Sequence, residues 1–145
     1  VIIKDDATLR GMFEVRVYRN GTLVEGYQDN NMILNMAKDA LARLIAGAGA
    51  GKVVTQIGFG TNGAGPSPDD TALTTPFAKA VSGITYPVPG QVKFSWNLAT
   101  TEANGMVIKE FGLICSDATL FARKTRGGIE KAADISLDGS WTIIF

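Results

Sequence analysis

The stretch of residues 104–124, NGMVIKEFGLICSDATLFARK, constrains the fold more than any other part of the chain. It opens on Asn104-Gly105 and runs through β-branched and apolar residues. It then breaks at the polar Ser116-Asp117-Ala118-Thr119 and resumes as Leu120-Phe121-Ala122-Arg123-Lys124. That order predicts two antiparallel strands joined by a short turn. An isolated hairpin is marginal in water, so other strands or a helix must cover its apolar face. In the first arm Met106, Ile108 and Glu110 alternate with Val107, Lys109 and Phe111, and neither set is purely apolar. Gly112 follows, and a glycine inside a strand marks a bulge or a close backbone approach. A bulge at Gly112 that resets the facing of the strand is the expectation.

The remaining chain supplies the cover. In residues 12–19, Phe13, Val15 and Val17 point one way and Glu14, Arg16 and Tyr18 the other, the period of a half-buried strand. Asn20-Gly21 tolerates positive φ at both positions and predicts a tight hairpin into residues 22–28. Asp29-Asn30-Asn31 offers N-caps for a helix over 32–46, whose apolar face includes Ile33, Met36, Ala40 and Leu44, with Asp39 and Arg43 paired on the exposed side. Gly47-Ala48-Gly49-Ala50-Gly51 ends it. Further strands are expected over 53–59 and 91–98; in the latter Val92, Phe94, Trp96 and Leu98 share one face. Residues 77–86 hold a short strand, with Lys79 outward, before Pro87-Val88-Pro89-Gly90 forces a turn or an edge. Residues 129–135 read as another short strand. Asp138-Gly139 reads as a turn into a final apolar strand over 141–145, whose hydrophobicity requires anchoring in a sheet or an interface.

Composition narrows the chemistry. The 145 residues suffice for one domain, and the 14 basic side chains balance the 14 acidic ones. That balance gives no electrostatic reason for nucleic acid or an anionic membrane as partner. The chain has no histidine and a single cysteine, Cys115, so Ser-His-Asp and Cys-His centres, imidazole metal sites and an intrachain disulfide are excluded. No apolar run reaches transmembrane length. Val1-Ile2-Ile3-Lys4-Asp5-Asp6 lacks the basic region and apolar core of a secretory signal.

Several local patterns resemble functional motifs. Gly58-Phe59-Gly60-Thr61-Asn62-Gly63 satisfies G-x-G-x-x-G after a strand, but Pro66 and Pro68 stand where a dinucleotide-binding helix must begin. Residues 46–52 end in Gly-Lys like a phosphate loop, yet Ala46 replaces the first glycine and Val53 replaces the Ser or Thr that holds magnesium. Asn20-Gly21-Thr22 matches a glycosylation sequon and reads more simply as the hairpin turn. The aromatic stripe of residues 91–98 shares its face with Val92 and Leu98 while Lys93 faces away, which is core packing and no platform for nucleic acid. The basic turn Arg123-Lys124-Thr125-Arg126-Gly127-Gly128 reads as a solvated loop or a subunit salt-bridge surface, with Glu130, Asp134 and Asp138 following to weaken its field. Glu110 beside Phe111 has the setting of a carboxylate with a raised pKa, but no nucleophile or second carboxylate accompanies it, and a structural or solvent-facing role is the simpler reading. Enzymatic chemistry would need Glu102, Glu110, Asp117 or Asp134 to converge in a cleft. A carbohydrate- or peptide-binding module would need an exposed aromatic patch built from Tyr86, Tyr27 or the loop of residues 60–75.

Across most of its length the chain resembles small virion structural proteins of tailed bacteriophages, especially baseplate-associated and tail-fibre attachment proteins. The residues that carry the resemblance are Asn31, Ala37 and Leu41 through Leu44 of the helix, then Ile57 with Phe59-Gly60-Thr61. They continue with Asn104 through Leu113, Leu120 through Arg123, and the ending Trp141-Thr142-Ile143-Ile144-Phe145. The resemblance implies a noncatalytic component located in the virion, in tail or baseplate and assembled in the host cytoplasm, that joins copies of itself and other virion proteins. Capsid decoration or cementing, and host recognition through carbohydrate or peptide, are the alternatives. The fold expected is α+β, mainly antiparallel β, sandwich-like or a partly open barrel, with one packed amphipathic helix in a single domain over residues 1–145. No catalytic, cofactor-binding or metal-ligating residue is assigned, and no cofactor.

Overall fold

The computed structural model describes residues 9–145; the reading of Val1 to Asp6 lies outside them. β1 (Arg10–Arg19) and β2 (Thr22–Ile33) form the first hairpin, followed by α1 (Asn35–Ile45) and β3 (Val54–Gly60). Then come β4 (Phe77–Ala80), β5 (Gly83–Thr85), β6 (Gln91–Leu98), β7 (Val107–Cys115), β8 (Leu120–Glu130) and β9 (Ile135–Ile144). The strands form one sheet in the order β4-β3-β7-β8-β2-β1-β9-β6-β5, and each pairing is antiparallel.

Two partner switches curl this sheet. β2 lies along β1 but gives its last residues, Met32 and Ile33, to Arg123 and Ala122 of β8. At the far side β4 pairs with β3 and β5 with β6, with only Val81 and Ser82 between them. The Val81 N–H donates to Thr55 O at 3.1 Å and the Ser82 N–H donates to Ser95 O at 2.8 Å, so one short segment is bonded to both halves. The result is a curled, half-barrel-like antiparallel sheet with one packed helix, as the residue patterns lead one to expect.

Aromatic side chains from both halves meet inside the curl. Phe13 of β1 lies 4.8 Å from Phe111 of β7 and 4.9 Å from Trp141 of β9, and Phe59 of β3 meets Trp96 of β6 at 5.5 Å, ring centre to ring centre. All five are buried. Rings of this size each remove about 150–250 Å² from water, which makes the cluster the main reason for the sheet to close on itself. Asn20 (φ 49°) and Gly21 (φ 78°) make the expected hairpin turn.

Several local expectations are corrected by tertiary pairing. The helix starts at Asn35 and not at 32, because Met32 and Ile33 are bound to β8; Asp29-Asn30-Asn31 belong to β2 and cap nothing. No side chain caps the helix. Its first N–H, that of Asn35, donates to Pro68 O at 2.9 Å. Gly112 sits in regular register opposite Arg123, and the irregularities fall beside it, between Leu113 and Ile114 and between Ile108 and Glu110. Residues 123–128 are no turn: they continue β8. The strand expected over 129–135 is divided, Ile129 ending β8 and Ile135 opening β9. Asp138-Gly139 lies within β9, where Gly139 pairs with Val15 on one side and Trp96 on the other. Two ladders of hydrogen bonds outweigh the local turn preference there. The Trp96 ring and the Glu14 backbone fill the space a side chain at 139 would need.

Candidate interaction surface

Two regions outside the aromatic core carry polar or apolar groups in unusual settings. The first is the outer face of β3 and β7, onto which residues 61–75 fold. Gly58 and Gly112 lie under Leu73: a Cβ at either would come within 2.7–3.0 Å of a Leu73 methyl. Gly60 leaves room for Glu110, whose Cγ would be 2.7 Å from a Cβ there. The missing side chains let the loop reach the sheet, and Glu110 then binds it. The N–H groups of Asn62 and Thr74 donate to Glu110 Oε2 at 2.9 and 2.8 Å. Arg123 Nε donates to Glu110 Oε1 at 2.8 Å, Nη1 donates to Asp70 at 3.0 Å, and Nη2 donates to the carbonyls of Asn62 and Ala64, each at 3.0 Å. Glu110 and Arg123 are both buried. Removing two opposite charges from water is costly, and the added hydrogen bonds to loop backbone are what offset it. Glu110 is therefore structural, the simpler of the two sequence readings. The G-x-G-x-x-G spacing reflects this packing: the amide of Asn62, which a phosphate would need, is already given to a carboxylate of the same chain.

The other acidic candidates do not join Glu110. Glu102 pairs with Lys79 at 2.8 Å, Asp117 with Lys52 at 2.8 Å, and Asp134 lies 3.6 Å from Arg19. Lys79 and the Ala99 N–H hold the Glu102 carboxyl below its ordinary range. Lys52, then Thr119, hold that of Asp117 well below it. Burial, reinforced by the charge of Asp117 and opposed by Lys52, pushes the Cys115 thiol up to about 11, which removes its thiolate at neutral pH. Among the described residues no cluster of three or more Cys, Asp or Glu side chains is arranged to hold a metal ion. Among them, too, no helix is long and apolar enough to cross a membrane. Of the basic residues 123–128, Arg123 is buried in the clamp. Lys124 and Arg126 stand over the Tyr27 ring at 5.8 and 5.3 Å and pair with Asp29 and Glu25. Tyr27 is thereby partly covered, and the loop of residues 60–75 is tied down.

The second region is an apolar groove of about 190 Å³ at one end of the curled sheet. Its floor is core: Val54, Phe94, Phe121 and Ile143. Its rim is formed by Leu44 of α1, Val53, Ile84 of β5, Tyr86 and Phe145, all exposed. Ile45, next to Leu44, is 88% exposed, and Tyr86 is 77% exposed. The helix closes only part of the sheet's end, since Ala37 and Leu41 reach the core while Leu44 stands at the rim. Of the sequence candidates Tyr86, Tyr27 and the loop of residues 60–75, Tyr86 lines this groove. The expected anchoring of the last strand is found for Trp141 and Ile143, which are buried; Phe145 extends onto the groove.

The Glu110–Arg123 pair was within reach of the sequence. A hairpin turning at 116–119 sets Gly112 opposite Arg123 and Glu110 opposite Thr125, so Glu110 and Arg123 are diagonal neighbours. The groove had no such signal, because exposed and buried hydrophobic residues look alike in sequence. Comparison of the chain with models of protein families, with curated proteins and with solved structures finds no match. What the fold and surface define is a class: a curled antiparallel β scaffold with an internally clamped loop and an open apolar face.

Proposed function

We infer that this chain is a noncatalytic structural component of a tailed-bacteriophage virion, in tail or baseplate, that assembles with itself and with other virion proteins. The observation that carries the assembly reading is the open apolar face around Ile84, Tyr86 and Phe145, set on a scaffold whose loop of residues 61–75 is bound to Glu110 and Arg123. Exposed apolar surface of this kind on a folded domain marks a contact site. The virion assignment rests on the sequence resemblance. Its motif residues do structural work here: Phe59 and Phe111 build the aromatic core, while Glu110 and Arg123 hold the loop. Ions, nucleotides and catalytic groups play no part in this reading. Mass spectrometry and antibody labelling of purified particles test it, with the chain expected at a fixed, symmetric copy number. Particles that lack the chain overturn the assignment.

A second reading is favoured by one observation. Tyr86 exposes its ring beside an apolar groove, the arrangement a peptide- or carbohydrate-binding module needs. Binding of a soluble glycan or peptide that Tyr86→Ala abolishes, by a chain without self-association, would select this reading over the first.

A further inference from the structure

We propose that Asn20, at the tip of the β1–β2 hairpin, is a site of spontaneous covalent modification that converts to aspartate and isoaspartate through a ring closed by the Gly21 amide. The chain holds three Asn-Gly pairs, at residues 20–21, 62–63 and 104–105. Asn-Gly is the pair most open to this reaction, because glycine has no side chain to obstruct the approach of its nitrogen to the preceding carboxamide carbon. The Gly21 nitrogen bonds to Cγ of Asn20, the Cγ–Nδ2 bond breaks, and the Gly21 amide proton leaves with the departing nitrogen as ammonia. Water then opens the resulting succinimide ring at either carbonyl carbon. Cleavage at Cγ gives aspartate; cleavage at the main-chain carbon gives isoaspartate, whose main chain is longer by one methylene.

Exposure does not separate the three pairs, since both residues of each are exposed. Hydrogen bonding does. Asn104 Nδ2 donates to Thr100 O at 3.0 Å, and its Oδ1 accepts from Nζ of the buried Lys131 at 2.8 Å. The Gly105 N–H, the nucleophile of that pair, donates to Lys131 O at 2.9 Å. Asn62 gives its N–H to Glu110 and accepts from Arg123 at its carbonyl, while its Oδ1 accepts from the Ala64 N–H at 3.0 Å. Both carboxamides must break bonds before they turn toward the next nitrogen. Asn20 differs: among the described residues none bonds its carboxamide, and its own N–H donates to Asp134 O at 2.8 Å. No atom lies within 4 Å of the place a Cβ would take at Gly21, so the ring has room to form. Conversion puts a carboxylate next to Arg19 and Asp134 and turns a chain of 14 positive and 14 negative side chains net negative. The isoaspartate form also lengthens a two-residue turn in which both residues hold positive φ, which loosens the hairpin tip from Asp134.

Peptide mapping by mass spectrometry tests the proposal on the full chain held in warm, mildly alkaline heavy-oxygen water, where conversion replaces an amide nitrogen with a labelled oxygen at the reacting residue. The same chain unfolded in urea is the reference, because there all three pairs lose their hydrogen bonds and react at similar rates. In the folded chain Asn20 should convert at least about tenfold faster than Asn62 or Asn104, the factor set by the two or three hydrogen bonds those pairs must first break. Asn20→Gln should remove the labelled product and the more acidic ion-exchange peak that accompanies it. Lys131→Met, with circular dichroism to check its fold, should bring Asn104 toward its unfolded rate. The comparison with urea needs no variant and decides the matter where Lys131→Met does not fold. A folded chain in which Asn62 or Asn104 converts as fast as Asn20 overturns the proposal. So does an Asn20 that stays intact while the unfolded chain reacts at all three pairs, and a folded Lys131→Met chain with an inert Asn104 overturns the protection by hydrogen bonds. The modification is read on the purified chain alone and is independent of the virion assignment.

Discussion

The outer face of β3 and β7 and the groove beneath α1 lie on the same sheet and are finished in opposite ways. At the first, the chain covers its own sheet: Gly58, Gly60 and Gly112 make room, Leu73 fills it, and Glu110 and Arg123 bind the backbone of the covering loop. At the second, core residues such as Phe94 and Ile143 open onto solvent through a rim of exposed hydrophobic side chains. Polar groups appear where the chain must bind itself in one arrangement, because an unpaired buried charge penalises every other arrangement. Apolar surface stays uncovered where none of the described residues supplies a covering loop.

The largest effect that would break this contrast comes from the clamp. Glu110→Ala strips Arg123 of its buried partner, leaving only the part-exposed Asp70 as counter-charge, and should cost about 3–5 kcal/mol of folding stability by urea denaturation, with rapid proteolysis in residues 61–75. The double change Glu110→Leu with Arg123→Met should recover a large part of that loss. If Glu110→Ala is neutral, the loop is held by something other than the ion pair. Next in size is Gly112→Val, which forces a side chain against Leu73 and Leu120 and should cost about 1–3 kcal/mol. A smaller loss tests the concept that loop and sheet are in contact only loosely.

Acid should act on the ion-paired turns and spare the apolar face. Asp117 and Glu102 have carboxyl pKa values below their ordinary 3.8 and 4.5 in the folded chain. Their contribution is therefore fully present above those ordinary values and lost as pH falls through the lower folded values. Thermal melts should show a declining midpoint below about pH 4.5, and Lys52→Met should flatten part of that decline by removing the partner of Asp117. A decline that is the same in both proteins rules out this pair as its source. The smallest effect is expected at the groove. Tyr86→Ser, measured at a concentration too low for association, should change stability by no more than about 0.5 kcal/mol, since the side chain is exposed in the single chain. A larger loss would make Tyr86 part of the fold and not of a contact surface.

Much of the architecture was legible locally. Period-two alternation located β6 with its bounds at Gln91 and Leu98, and Asn20-Gly21 located the first hairpin, because side-chain facing and turn geometry are properties of adjacent residues. Misreadings occurred where distant segments overrode local preference. Asp138-Gly139 has the chemistry of a turn but is held straight between β1 and β6. Arg123 looked like part of a solvated basic turn because two of its partners, Asp70 and Asn62, lie 53 and 61 residues away.

The hairpin of residues 104–124, the helix and the alternating strands were thus determined by the sequence alone, through periodicity and turn chemistry. Three outcomes were decided only by tertiary structure: the partner switches that close the curl, the burial of the Glu110–Arg123 pair under residues 61–75, and the division of apolar residues between the core and the open face. Each depends on which distant segment arrives at a surface, and a hydrophobic residue carries the same side chain whether or not its neighbour arrives to cover it.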